Sequence, residues 1–272
     1  MTEKLRYKRT LSIAGSDPSG GAGIQADLKT MSACGCFAMS AITAVVDENT
    51  VGVYGIHPVP DHFVLGQIRS VLDDIGADAV KIGMLHSSSL IRSIKEILQE
   101  YRVKNIVLDP VMIATSGDEL LPNEAVASLR DELIPIARVI TPNIPEAEVL
   151  LGTKITGQSA LPEAAKRLSQ NGLVSVMLKA GHLADNELTD IFYNAETGET
   201  LRFPSLRIDT VNTHGTGCTL SSAIASFLAH DLPLNLAVSR AKDYISNAIA
   251  AGAQYQIGKG HGPVQHFWQW WK

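Results

Sequence analysis

Within Asn212-Thr-His-Gly-Thr-Gly-Cys-Thr-Leu-Ser-Ser222 a polar, glycine-rich turn runs into a stretch of small apolar residues, Ala223 to Ala229. A helix starting there has backbone N–H groups in its first turn without intrahelical partners, and its dipole favours negative charge at that end. Gly215 and Gly217, with Thr216 between them, carry no side chain that would keep an anion off those groups. Cys218 stands at the same helix start, where a thiol pKa is expected to fall. The pattern is a cradle for an anion beside a thiol that can be activated. The plainer reading is a tight turn before a core helix with a structural cysteine.

Other residues have types suited to a charged substrate. Asp109 and Glu146 are oxygen donors of the kind that hold Mg²⁺ beside substrate phosphates, although Glu146 could equally cap a helix and Asp109 bond a loop. Lys179, two residues before Gly181, can neutralise a phosphate or be a snorkelling surface lysine. Ser116-Gly117, inside the polar stretch Thr115 to Glu119, suits a lid. A cradle, two carboxylates and a lysine are what phosphoryl transfer requires, since positioning and charge stabilisation do most of that catalysis. Cys218 would then receive the proton of the attacking hydroxyl. Gly21-x-Gly23-x-x-Ala26 imitates a dinucleotide fingerprint, but five non-strand residues separate it from the preceding strand. Gly23 to Thr30 imitates a phosphate-binding P-loop but has Leu28 where the second glycine belongs.

These residues need a scaffold, and apolar periodicity supplies one. Strands are expected at Thr10–Ala14, Phe37–Val46, Ala79–Ile82, Asn105–Pro110, Arg138–Asn143 and Leu173–Lys179, with a short flap strand at Val51–Ile56. Helices are expected from the first glycine loop to about Ala33, then over His62–Ile75, Ser88–Tyr101, Glu124–Leu133, from Pro145, and over Leu161–Gln170. Ile191–Phe203 reads as an antiparallel hairpin, and two helices close the chain, one after Gly217 and one from about Leu234 to Ala253. Strand and helix alternate at least five times, which predicts an α/β fold with a mainly parallel central sheet covered on both faces. No repeat or linker divides residues 1–272, which read as one domain. Ligands of such sheets bind outside the carboxyl ends of the strands. Gly15, Asp47 and Glu48, Met84, Asp109, Asn143 and Lys179 all fall at such ends. Asp27 lies on the apolar face of its helix, beside Ile24 and Met31, and must either be paired, with Lys29 or a backbone group, or accept from a ligand.

Composition narrows the class. A formal net charge of −5 and no lysine or arginine cluster argue against nucleic acid as a partner. No apolar run reaches membrane-spanning length, and Met1 to Thr10 lacks the apolar core of a secretory signal. Three cysteines, Cys34, Cys36 and Cys218, suit a reducing cytoplasm better than a disulfide framework. Cys34-Gly-Cys36 has no second pair to make a metal site.

The segments Ala14 to Asp27, Lys81-Ile-Gly-Met-Leu85, Val107 to Met112, Thr141-Pro-Asn-x-x-Glu146 and His214 to Ser221 together resemble the hydroxymethylpyrimidine/phosphomethylpyrimidine kinases, the thiamine-pathway branch of the ribokinase-like superfamily. The resemblance covers nearly the whole chain. It implies a three-layer fold with a small flap, ATP and Mg²⁺ as cofactors, and phosphorylation first of an aminopyrimidine alcohol and then of its monophosphate. It also implies a homodimer in the cytoplasm. It makes Gly215-Thr216-Gly217 the anion hole and puts Cys218 where the superfamily's sugar kinases carry an aspartate base. Asp109, Asn143 and Glu146 fall near the metal, Lys179 near the ATP phosphates, and Gly15, Asp27 and Met84 on the ring pocket. His214, beside the cradle, is a candidate for holding the monophosphate. One departure stands out: the family usually has glutamine where this chain has Glu48. Ionised glutamate only accepts hydrogen bonds, whereas glutamine also donates. The alternatives are a pyridoxal or pyridoxine kinase on the same scaffold, a thiol hydrolase pairing Cys218 with His214 or His182, and a non-catalytic pyrimidine sensor.

Overall fold

The computed structural model describes residues 5–112 and 121–271. The expected lid at 115–119 lies outside them. Ten strands and eight α-helices are laid out as β1 (Arg9–Ala14), α1 (Gly23–Ala33), β2 (Phe37–Ile42), β3 (Ala44–Glu48), β4 (Val53–Pro58), α2 (Asp61–Asp74), β5 (Ala79–Ile82), α3 (Ser88–Glu100), β6 (Ile106–Leu108), α4 (Asn123–Ser128), β7 (Val139–Ile140), α5 (Ile144–Leu151), α6 (Leu161–Leu168), β8 (Ser175–Leu178), β9 (Glu187–Tyr193), β10 (Thr200–Leu206), α7 (Thr216–Ala229) and α8 (Leu234–Gly252) among the described residues. Eight strands form one sheet in the order β10-β9-β8-β7-β6-β5-β1-β2. It is parallel from β2 to β8, and the β9–β10 hairpin adds antiparallel strands at one edge.

Successive strand residues face opposite sides of a sheet, so each strand feeds two cores. Leu11, Ile13, Val80, Ile82, Ile106, Leu108, Ile140, Val176 and Leu178 pack with α2 to α6 on one side. Ala79, Val107, Val139, Met177 and Phe192 pack with α1, α7 and α8 on the other. The helices are built for this. In α3 the buried residues Leu90, Ile91, Ile94, Ile97 and Leu98 recur at helical spacing, and the Ser87 hydroxyl caps the helix by accepting from the Leu90 N–H.

Two expected elements differ. The single strand over Phe37–Val46 breaks at Thr43, where β2 leaves the main sheet and β3 pairs antiparallel with β4 in a separate two-stranded flap. Thr43 fixes the break, its N–H donating to the Ala14 carbonyl and its hydroxyl to the Met84 carbonyl. The helix expected over Glu124–Leu133 is α4 followed by a wide turn at Leu129–Leu133 and a tight one at Ile134–Ile136, since Pro135 cannot continue a helix.

Candidate active site

The strand-end residues are aimed by the same alternation. Val107, Val139 and Met177 face α7, so two residues on Asp109, Thr141 and Lys179 face it too, side by side just past β6, β7 and β8. The Thr141 hydroxyl donates to Asp109 Oδ1 at 2.7 Å, and Lys179 Nζ reaches the same oxygen at 3.1 Å. Burial would raise the Asp109 carboxyl, but the charges of Lys179 and Lys81 and the Thr141 hydroxyl hold it below the usual range. Lys179 is correspondingly raised: burial opposes its charge, and Asp109 and Glu146 outweigh it.

Asn143 and Glu146 form a reciprocal cap on α5, the Asn143 side chain accepting from the Glu146 N–H and the Glu146 carboxylate from the Asn143 N–H. Both line the cleft beside Lys179. Burial pushes the Glu146 carboxyl up to about 7, with Lys179 opposing and Asp109 reinforcing the shift.

The cradle is where the sequence places it. Gly215 precedes α7 in the left-handed region at φ 77°, and a Cβ there would overlap the Gly21 carbonyl, so the turn rests on the backbone of the first glycine loop. A Cβ at Gly217 would lie 3.2 Å from Lys179 Nζ and 3.3 Å from Asp109 Oδ2. Cradle, lysine and carboxylate therefore meet at one point. The expected fall in the Cys218 pKa is not found. Burial pushes the thiol up to about 12, Lys81 and the Gly23 N–H pull it down, and Asp27 and Asp109 push it further up. Desolvation wins over the helix dipole. Among the described residues no hydrogen bond joins Cys218 to a histidine, which removes the geometric basis for a thiol hydrolase.

Asp27 is not on the cleft wall. It is fully buried and accepts from the hydroxyls of Ser12 (2.5 Å) and Ser222 (2.7 Å), and with both its oxygens from Lys81 Nζ (2.9 and 2.8 Å). Its partner is thus Lys81, not Lys29, whose amine goes to the Gly20 carbonyl. Lys81 follows Ala79 by two and so points to the α1–α7 side, where it borders the cleft from below. The sequence assigns Asp27 and Met84 to the ring pocket but no role to Lys81, because the Asp27–Lys81 pair spans 54 positions.

A second group of side chains lines the other end. Gly15, Glu48, Met84 and His214 all border the cleft. Ala44, Val46 and Met84 make a small apolar cluster with Val53 and Val111 against it, a surface suited to a flat ring. Asp17, missed in the sequence, organises the polar side: His214 Nε2 lies 2.9 Å from its Oδ2, and the Ser19, Gly21 and Ala22 N–H groups and the Ser19 hydroxyl also donate to it. Burial alone would raise Asp17, but the His214 and Ser19 hydrogen bonds and the Ala22 N–H hold it well below the usual range. His214 is raised, because its bond to Asp17 and the charges of Asp17 and Glu48 outweigh burial. Glu48 is pushed up to about 7 by burial and by Asp17, with His214 opposing. Asp17, Glu48 and His214 each bring a donor atom within 4.8 Å of the others, and Asp17 Oδ2 is already occupied by the Ser19 hydroxyl, the Gly21 and Ala22 N–H groups and His214.

All of this borders one cleft of about 720 Å³ at the carboxyl ends of the strands, large enough for two small ligands end to end. His182 and Lys242 border its far end, Lys242 paired with Asp190 at 2.7 Å. His182 is lowered by burial and by Lys179.

The chain matches the phosphomethylpyrimidine kinase family over residues 17–265. It is 48% identical to the hydroxymethylpyrimidine/phosphomethylpyrimidine kinase of Rhizobium meliloti (strain 1021), over 96% of this chain and 98% of that one. A crystal structure of phosphomethylpyrimidine kinase from Clostridium difficile 630 superposes with a TM-score of 0.77 at 43% identity, over 89% of this chain and 99% of that one. An ADP complex of Bacillus subtilis pyridoxal kinase superposes at 0.86 with 35% identity, over 96% and 98% of the two chains. With a family match from Asp17 to Gln265 and nearly half its residues shared with a relative of the same length, the chain belongs to the phosphomethylpyrimidine kinase family.

Proposed function

We propose that the chain transfers the terminal phosphoryl group of ATP to the hydroxymethyl oxygen of 4-amino-5-hydroxymethyl-2-methylpyrimidine, and then to the monophosphate so formed, in thiamine biosynthesis. The observation that carries this reading is the meeting of the Gly215–Gly217 cradle with Lys179 and Asp109 midway along a cleft whose one end is the Val46–Met84 ring surface. In the first step the substrate oxygen bonds to the γ-phosphorus, the bond to the β-phosphate oxygen breaks, and ADP leaves. The unpartnered N–H groups at the start of α7 hold the charge on the transferring group, and Lys179 neutralises it. Cys218 stands at that point, and its thiolate form takes the hydroxyl proton to become the thiol. The monophosphate of the second step lies toward His214, whose raised pKa and bond to Asp17 favour the cation.

The residues fit a divalent cation. Glu146 is a buried carboxyl with a single backbone donor, and Asp109 keeps Oδ2 beside the cradle. Asp109 and Glu146 would hold Mg²⁺, which supplies charge neutralisation on the ATP phosphates. The Asn143 oxygen is taken by the Glu146 N–H, so we assign Asn143 to orienting Glu146 rather than to the metal. Glu48, Gly15 and Met84 serve the ring; Asp27 serves it only through Lys81.

A cytoplasmic homodimer is part of this reading: the three cysteines are free, and the flap exposes Val45, Tyr54 and Ile56 on a face that a second copy would cover. Among the described residues no helix is long and apolar enough to cross a membrane. The deciding experiment measures ADP release with Mg²⁺-ATP and, in parallel, the pyrimidine alcohol, its monophosphate and pyridoxal. Turnover of both pyrimidines with pyridoxal poor is expected. Pyridoxal turnover alone would transfer the chain to vitamin B6 chemistry, and ring binding without ADP release would make it a sensor.

A further inference from the structure

Two consecutive residues near the end of the chain reach opposite walls of the ring end of the cleft. The His261 N–H donates to the Thr50 carbonyl at 2.7 Å, and the Gly262 carbonyl accepts from the His214 N–H at 3.0 Å. Thr50 sits in the flap turn two residues past Glu48, and His214 opens the cradle turn. The Thr50 hydroxyl oxygen also accepts from the Lys259 and Gly260 N–H groups, at 3.2 Å each. This one flap residue therefore takes three backbone donors from a segment some 210 positions away.

The composition of that segment, Gly258-Lys-Gly-His-Gly-Pro263, follows from how closely it lies. A Cβ at Gly258 or Gly260 would overlap Thr50, and one at Gly262 would overlap the Asn212 side chain. Asn212 donates to the Gly252 and Tyr255 carbonyls at 2.8 and 2.6 Å, which anchors the cradle turn to the end of α8. The flap is held at its base by Ser16, whose N–H donates to the Ala44 carbonyl and whose hydroxyl accepts from the Val46 N–H, while its tip, at Thr50, rests on residues 259–261. It is a two-stranded ribbon with Val45, Tyr54 and Ile56 exposed, and a ribbon of that size is marginal by itself.

We propose that residues 258–263 are a strap that sets the separation between the flap and the cradle turn, and that Thr50 is a positioning residue holding Glu48 at its distance from His214 and Asp17. The role in ring recognition rests on the substrate assigned above; the mechanical link does not. Thr50→Val keeps the shape and removes the hydroxyl acceptor, whereas Thr50→Ser keeps the acceptor. In steady-state assays Thr50→Val is expected to raise KM for the pyrimidine alcohol roughly tenfold, with kcat and KM for ATP within about twofold, and Thr50→Ser to stay near wild type. Hydrogen–deuterium exchange on the ligand-free protein should show faster exchange in β4 and also in the peptide carrying His214 for Thr50→Val, but not for Thr50→Ser. Should Thr50→Val melt below the assay temperature, Gly260→Ala reaches the same contact from the strap side and is expected to give the same pattern. Equal losses in the valine and serine variants, or unchanged exchange at the His214 peptide, would overturn the strap. Failure of the wild type to phosphorylate any ring alcohol would sink the substrate assignment alone, because the exchange comparison still decides the strap.

Discussion

At the scale of single residues, the two phosphorylations place different demands on Cys218. The alcohol of the first step must lose a proton, whereas a phosphate monoester has its second pKa near ~6 and arrives largely ionised. With its thiol up at about 12, Cys218 is protonated in nearly all molecules, and only its minor thiolate form, a strong base, can accept the hydroxyl proton. Cys218→Ala should therefore lower kcat for the alcohol by about a hundredfold and for the monophosphate by less than about tenfold. Equal losses on both substrates would reduce Cys218 to packing. Glu48 makes a second prediction, this one about pH. Its pKa is about 7, so below that pH it is a neutral acid that can accept from the ring amino group and donate to a ring nitrogen, as glutamine does. Above that pH it only accepts and faces the nitrogen lone pair. KM for the pyrimidine should rise as pH passes through 7 to 9 in the wild type and stay flat in Glu48→Gln; parallel profiles would exclude the titration of Glu48 as the cause.

At the scale of elements, the cradle turn works because its two glycines solve different problems. Gly215 lets the turn lie on the Gly21 carbonyl at positive φ, and Gly217 lets Lys179 and Asp109 approach. Gly215→Ala is expected to cut kcat/KM more than about a hundredfold and to lower Tm as well, a cost of strain that activity and melting assays read together. Sequence made much of this visible. Strand ends, cradle and helix starts follow from apolar periodicity and from local signals such as the Asn143-x-x-Glu146 cap; spacing alone leaves Glu146 open both to capping and to a metal, because a side chain's second use leaves no mark on it. Asp27 showed that it needed a partner; that the partner is Lys81 depends on which residues of β5 face α1 and α7, which only the packed sheet decides. The break at Thr43 and the strap on Thr50 were illegible for the same reason, since in both a threonine meets backbone groups of distant segments, and backbone atoms are alike in every residue.

At the scale of the whole molecule, the pyridoxal kinase of Bacillus subtilis shares the architecture as closely as the phosphomethylpyrimidine kinase of Clostridium difficile, with TM-scores of 0.86 and 0.77, so the choice of ring is made by a few side chains on a common frame. The frame also carries two raised carboxyls, half-buried Glu48 and buried Glu146, both moved from 4.5 to about 7. The folded state holds their protons more tightly than the unfolded state, so their contribution to stability is full below about 4.5 and is lost as pH rises to about 7. A cation at Glu146 needs the ionised form. Mg²⁺ should therefore raise Tm by about 2–4 °C at pH 8 and by less than about 1 °C at pH 6, and Glu146→Gln should abolish the difference. A pH-independent shift would place the cation elsewhere.

The strand order has a consequence for the chain as it leaves the ribosome. Once β5 has joined β1, each of β6, β7, β8, β9 and β10 adds to the edge its predecessor has just made, so the sheet can grow in the order of synthesis. The cradle helix, α8 and the strap emerge only after the last strand of the sheet. A nascent chain can thus have paired its strands while the sheet face that α7 and α8 cover is still open and the Gly215–Gly217 turn has yet to form, and a ribosome-bound intermediate at that stage would be silent as a catalyst.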